Sequence, residues 1–136
     1  MAQSGHLTRY VIDTHALFWY LIGSPRLSAA AREVFDAGVA QSAILVIPVI
    51  VLAELFYLNE KAGRPFDFPR EFARLQESGQ FEILSLHAQD IIDFARDDSV
   101  VEMHDRIIAG VARRLNAACV SRDRNITANP QLKVIW

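Results

Sequence analysis

Apolar positions along the chain fall into short runs separated by stretches of helical spacing. Tyr10-Val11-Ile12, Ile44 to Ile47, Phe81-Glu82-Ile83-Leu84, Ala117 to Val120 and Leu132 to Ile135 are the five strand candidates. Two of them, Ile44 to Ile47 and Ala117 to Val120, are uninterrupted, the pattern of a strand covered on both faces. Phe81 to Leu84 alternates and belongs near a sheet edge. Helices are predicted over Thr14 to Ile22, Ala29 to Ala37, Val49 to Lys61, Pro69 to Glu77 and Ala88 to Arg96, and from near His104 onward. Local signals punctuate these segments. Gly23-Ser24-Pro25 closes the first helix, Ser28 is placed to cap the second and Gly38 to stop it. Pro48 ends the second strand and suits the opening turn of the helix that follows, which Gly63-Arg64-Pro65 stops. Strands alternating with helices predict an α/β fold: one domain over 1–136 with a central, mainly parallel five-stranded sheet, helices on both faces, and 1–9 as a short polar N-terminal extension. No linker, repeat or low-complexity tract interrupts it.

Composition narrows the class. Half of the 136 residues are apolar, enough for a folded core and too many for a disordered chain. The longest apolar run, Ala43 to Ala53, contains Pro48 and is far short of the roughly 20 residues of a membrane helix. Met1 to Arg9 lack the apolar core of a secretory signal, so the cytoplasm is the expected compartment and no membrane partner is expected. A single cysteine, Cys119, lies in an apolar run and reads as a small core residue, which excludes an internal disulfide and a multi-cysteine metal site. The net charge of −2 argues against binding nucleic acid through bulk charge, yet twelve of the fourteen basic residues are Arg, whose planar fork suits phosphate.

Four acids stand where packing explains them poorly. Asp13 follows the first strand, Glu54 sits within the apolar helix segment Val49 to Phe56, Asp105 opens a strong helix, and Asp123 follows the fourth strand. Each also has a plain structural reading: Glu54 as a solvent-facing helix acid, Asp105 as a partner of its helix dipole. In an open parallel sheet, ligands bind beyond the carboxyl ends of the strands, and Asp13, Glu54 and Asp123 reach that edge directly. Asp105 reaches it if its helix starts there. Carboxylates gathered in one pocket repel each other and need a cation, and hard oxygen donors select Mg²⁺ or Mn²⁺. Such ions can activate water for in-line attack at phosphorus.

Taken together, Val-Ile-Asp13-Thr14-His15-Ala16-Leu17, Leu-Ala-Glu54-Leu, His104-Asp105-Arg106-Ile107-Ile108-Ala109 and Val120-Ser121-Arg122-Asp123 resemble the four signature segments of the PIN domain. Within that superfamily the likeness is to VapC-type toxins of toxin–antitoxin pairs, in order and spacing from Tyr10 to Trp136. The resemblance implies a sheet ordered 3-2-1-4-5 and an Mg²⁺- or Mn²⁺-dependent endoribonuclease. It also implies a homodimer restrained by a cognate antitoxin protein. It carries Asp13, Glu54, Asp105 and Asp123 onto the metal-binding acidic quartet, and leaves the identity of the RNA open. The chain departs from the family pattern at His15, where many relatives have a small residue, and at Asn125, where some have a further acid.

Further residues are weighed in the same light. His15 is expected to cap or pack the first helix, with approach to substrate phosphate as the second reading. Arg106, Arg122 and Arg124 flank two of the acids and either grip RNA phosphates or compensate the acidic charge. Asn125 is expected to support metal-bound water or substrate, and His104 to make a structural hydrogen bond near the site. Asp93, Asp97 and Asp98 read as solvated charges, Asp90 as a dipole partner and His87 as a cap. Consecutive aromatics at Phe18, Trp19 and Tyr20, and at Phe56 and Tyr57, cannot all face inward, so an exposed patch is predicted to serve as a dimer seam or antitoxin groove. Three other classes were open. A dehalogenase-like phosphatase wants a second Asp at the position of His15, and a receiver domain wants a late Lys outside a strand, unlike Lys133. A non-catalytic PIN fold binding RNA or protein would suit an incomplete acidic set, and here all four positions are filled.

Overall fold

A computed structural model describes residues 7–136. The strands are β1 (Thr8–Ile12), β2 (Ala43–Pro48), β3 (Phe81–Leu84), β4 (Ala118–Val120) and β5 (Val134–Ile135). They form one sheet in the order β3-β2-β1-β4-β5, with every neighbouring pair parallel. Val11 and Ile12 of β1, and Leu45, Val46 and Ile47 of β2, are all without exposure. Successive strand residues point to opposite faces, so both faces of the sheet centre are covered. β1 begins at Thr8, so Thr8 and Arg9 belong to the sheet rather than to an N-terminal extension; residues 1–6 of that extension lie outside the described residues.

Among the described residues seven α-helices flank the sheet: α1 (Thr14–Ile22), α2 (Ala29–Val39), α3 (Val49–Lys61), α4 (Phe68–Glu77), α5 (Ala88–Ile92), α6 (Met103–Leu115) and α7 (Arg124–Thr127). None of the helices among the described residues is long and apolar enough to cross a membrane. The signals at α1 and α3 act as expected, with Gly23 in the left-handed conformation closing α1 and Pro48 preceding α3. Gly38 does not stop α2. It is buried one residue before the helix ends, where a side chain would press on Leu45 of β2, so a close approach explains this glycine. Ala88 to Arg96 is not one helix: α5 ends at Ile92 and a 3-10 segment, Asp93–Asp97, follows. Ile91 and Ile92 are exposed and take no part in the core. α7 was absent from the helices predicted. It is a single turn in a polar segment, anchored by the fully buried Ile126.

The aromatic run on α1 is packed, contrary to the expectation of a patch there. Phe18 and Trp19 are buried, and Tyr20 stacks on Phe35 of α2 at 4.1 Å. α1 touches both α2 and α3, and a helix covered on several sides can be apolar nearly all round. Phe56 and Tyr57 of α3 remain exposed.

Two acids expected to be solvated are engaged instead. Asp97 is buried and takes both prongs of Arg113, at 2.7 and 3.2 Å, and Asp93 faces Arg114, as does Asp90 near the start of α5. His87 precedes α5 as expected, its backbone N–H donating to Asp90.

Candidate functional site

Because all strands are parallel, the residues after β1, β2 and β4 meet along one edge of the sheet. The backbone N–H of Asp13 donates to the Val120 carbonyl, which ties the end of β1 to the end of β4. Here a cavity of about 340 Å³ is lined by Asp13, Glu54, Asp105 and Asp123, together with Thr14, Tyr57, Lys61 and His104. Chain reversals bring the four acids from positions 110 residues apart to one space.

Each carboxylate is fixed by a local contact. Asp13, buried behind the sheet edge, caps α1 by accepting from the Ala16 N–H at 2.9 Å. Burial pushes its carboxyl above the usual range against the Ser121 hydroxyl, the Ala16 amide and His15, with Asp123 adding to the rise. Glu54, in the second turn of α3, accepts from the Thr14 hydroxyl at 2.6 Å. Asp123 caps α7 through the Asn125 N–H at 2.8 Å. The Asn125 side chain in turn donates to Asp105 at 3.0 Å, joining the third acid to the fourth. Even with this bond the Asp105 carboxyl is pushed up to about 6, first by burial and then by the neighbouring charges of Asp123, Glu102 and Glu54.

The donor set fits a hard divalent cation: carboxylate oxygens alone, two of them raised by burial and mutual repulsion, and no thiolate. Cys119 is fully buried away in β4. Among the described residues no three His, Cys, Asp or Glu side chains close on a common point. Such closure is not a requirement for Mg²⁺, which commonly takes one or two carboxylates and completes its shell with water and phosphate.

The neighbouring cations divide. Arg106 donates to the backbone carbonyls of Val100 and Phe94, at 2.5 and 3.3 Å, and does not line the acidic cavity. Its work is to hold the loop before α6. Arg122 lies over the Trp19 ring, 4.8 Å from its centre, beside a second cavity that shares Asp13 and Asp123. Arg124 is exposed at the start of α7. His15 is exposed, tilted against Trp19, and faces both cavities; capping of α1 falls to Asp13. His104 pairs with Glu102 at 2.5 Å, and that bond holds its imidazole above the ordinary value. Thr14, Ser121, Lys61 and Glu102 escaped the sequence reading. Thr14 and Ser121 could have been found, since each lies within two residues of a quartet acid. Lys61 sits seven residues after Glu54, two helical turns along the same face.

The PIN domain profile matches residues 10–131. No curated protein matches the chain. Solved structures with the same fold include VapBC2 from Rickettsia felis bound to a promoter DNA fragment, 19% identical over 93% of this chain and 97% of that one, with a TM-score of 0.68. A toxin–antitoxin complex from Klebsiella pneumoniae is 17% identical over 90% and 94%, with a TM-score of 0.65. DNA-bound VapBC from Salmonella typhimurium is 23% identical over 94% and 97%, with a TM-score of 0.63. The profile takes in β1 from Tyr10, the strands β2, β3 and β4, helices α1 to α7 and each of the four acids, and on that ground the chain belongs to the PIN domain family.

Proposed function

We propose that this protein is a metal-dependent endoribonuclease that acts in the cytoplasm as the toxin of a toxin–antitoxin pair. The observation that carries the reading is the cavity at the carboxyl edge of the sheet, lined by Asp13, Glu54, Asp105 and Asp123 from four separate segments. One or two Mg²⁺ or Mn²⁺ ions held by these acids would supply an activated water and stabilise the leaving oxygen. The chain's own residues prepare the site. Thr14 and Asn125 orient Glu54 and Asp105 through hydrogen bonds, and Ser121 and the start of α1 hold Asp13. Lys61 and Arg124 are placed to attract the phosphate backbone, with His15 at the junction of the two cavities. Hydrolysis then forms a bond from water oxygen to phosphorus and breaks one ester bond of the RNA.

Support for a protein partner is separate. Similar structures include VapBC complexes and a toxin–antitoxin complex, and here the exposed Phe56 and Tyr57 continue into an apolar groove between α3 and α4. We assign this groove to the cognate antitoxin and retain a homodimer as the resting assembly.

Cleavage of RNA with Mn²⁺ or Mg²⁺, compared between wild type and Asp13→Asn, tests the catalytic reading. The variant should lose at least about 100-fold in rate, more than the loss of a residue that only supports a metal ligand. Equal cutting by both proteins, or none by the wild type with either ion, defeats it. Growth arrest on expression, relieved by a small neighbouring gene, tests the toxin role.

A further inference from the structure

The second cavity, about 290 Å³, opens beside the acidic one and shares Asp13, His15 and Asp123 with it. Its remaining walls differ in kind: Trp19, Trp136, Arg26 and Arg122. These are both of the chain's tryptophans and two of its arginines. Trp19 is buried and packs on Trp136 with ring centres 5.6 Å apart, and Trp136 is the more exposed of the two. The Arg122 guanidinium covers the Trp19 ring. Neither Arg26 nor Arg122 has a carboxylate within ion-pair range among the described residues, although two acids line the same cavity.

We infer that this cavity is a nucleotide subsite, in which one unpaired RNA base stacks at Trp136 while Arg122 and Arg26 hold its flanking phosphates. The inference rests on the nuclease reading and adds to it the residues of this chain that seat a nucleotide beside the acids. Aromatic faces combined with unpaired cations are the means by which proteins hold single strands, because every base offers a π face. A base inside a duplex is already stacked on its neighbours and cannot present that face. The cavity is at the lower end of the range for ligand pockets, which suits one nucleotide rather than a run. Since the cavities share Asp13, His15 and Asp123, a nucleotide seated in one carries its adjacent phosphate to the acids of the other.

Having both tryptophans in one cavity makes their emission a direct report of its occupancy. Asp105→Asn is the suitable background, because Asp105 lines the acidic cavity and not the second one. Titration of this variant with a short unstructured oligoribonucleotide should quench the emission saturably, and the blunt duplex of the same sequence should not. Adding Trp136→Ala should weaken oligonucleotide binding about tenfold, the scale of one stacked base, and Trp136→Phe should recover most of it. Arg122→Ala should weaken binding and flatten its salt dependence. Binding that leaves the emission unchanged, or that is as tight with Trp136→Ala, overturns the subsite. So does quenching by the duplex equal to that by the single strand. A pocket made for a protein partner would leave both oligonucleotides without effect, which also overturns it. If wild type still cuts RNA in these cases the nuclease reading stands; if it cuts none with either metal, both readings fall.

Discussion

Asp105 is an acid held at a disadvantage until something neutralises it. Its carboxyl is pushed up to about 6, well above an ordinary Asp, because burial and the charges of Asp123, Glu102 and Glu54 disfavour the ionised form. Asp13 is shifted the same way, first by burial. A carboxylate with a raised value in the folded state penalises folding above that value, and the penalty is relieved as pH falls through it. His104 adds to this trend, since its bond to Glu102 raises it and its contribution is lost as pH climbs through the raised value. Glu102, burial notwithstanding, is held low by the Asp105 amide and His104, so its contribution fades only below the ordinary Glu range. Metal-free protein should therefore melt at a higher temperature at pH 5.5 than at pH 7.5, and Asp105→Asn should reduce the difference. A melting temperature that falls steadily over this interval would contradict the assignment. Divalent metal, which competes with protons for the same oxygens, should bind much more weakly below pH 6, as calorimetric titration at two pH values would show. The four acids were legible in the sequence because each breaks an apolar pattern at an element end. Their supports were less so: Asn125 was expected beside metal-bound water or substrate and instead donates to Asp105, while Thr14 and Ser121, close as they are in sequence to Asp13 and Asp123, are ordinary polar residues until folding sets them against a carboxylate.

Element by element, the least legible region is the passage from α5 to α6. Its aspartates look like surface charge, yet Asp97 is buried and held by Arg113 of α6, with Arg114 facing Asp90 and Asp93. Pairing of residues sixteen apart in the chain leaves no local trace in sequence. Gly110 is part of the arrangement, because a Cβ there would stand 3.1 Å from the Asp97 carboxylate and 3.0 Å from Arg114. Since α6 carries Asp105 into the site, these ion pairs and the Arg106 bonds to Val100 and Phe94 set the position of one acid. Asp97→Ala should destabilise the fold by about 2–3 kcal/mol, less than a fully buried pair because Arg113 keeps some access to water. Denaturant unfolding measures this, and a loss under about 0.5 kcal/mol would reduce the pair to an ordinary surface bridge. The central elements were far easier to read. β2 and α3 are marked by Ile44 to Ile47 and Pro48, whose apolar run and fixed φ state the boundary in the residues themselves. The order of the strands came from resemblance rather than from pattern, since period and propensity do not specify which strand pairs with which.

At the scale of the whole molecule, exposed aromatics on α3 lead from an apolar groove to the acidic cavity. Phe56 meets Tyr57 and Phe68 edge to face, each at 5.4 Å, and Phe68 stacks in parallel with Phe72. Phe56, Phe68 and Phe72 line, with Val49, Leu52 and Ala53, a groove of about 300 Å³ that is almost wholly apolar. Tyr57, 72% exposed, stands at the end of this strip and also lines the acidic cavity. An amphipathic helix laid in the groove would bury the phenyl rings and bring its end over Tyr57, where it obstructs access to the acids. Inhibition then follows from position and requires no change in the catalytic residues. Phe56→Glu should accordingly retain RNA cleavage while binding the antitoxin at least about 30-fold more weakly, the scale of an aromatic hot spot. Inhibition titrations with purified antitoxin, beside circular dichroism to confirm the fold, measure both quantities. A variant that is neutralised as readily as wild type refutes the groove as the antitoxin site. If its mass in solution also falls from that of a pair to the 15.3 kDa of one chain, the strip is the seam between two copies.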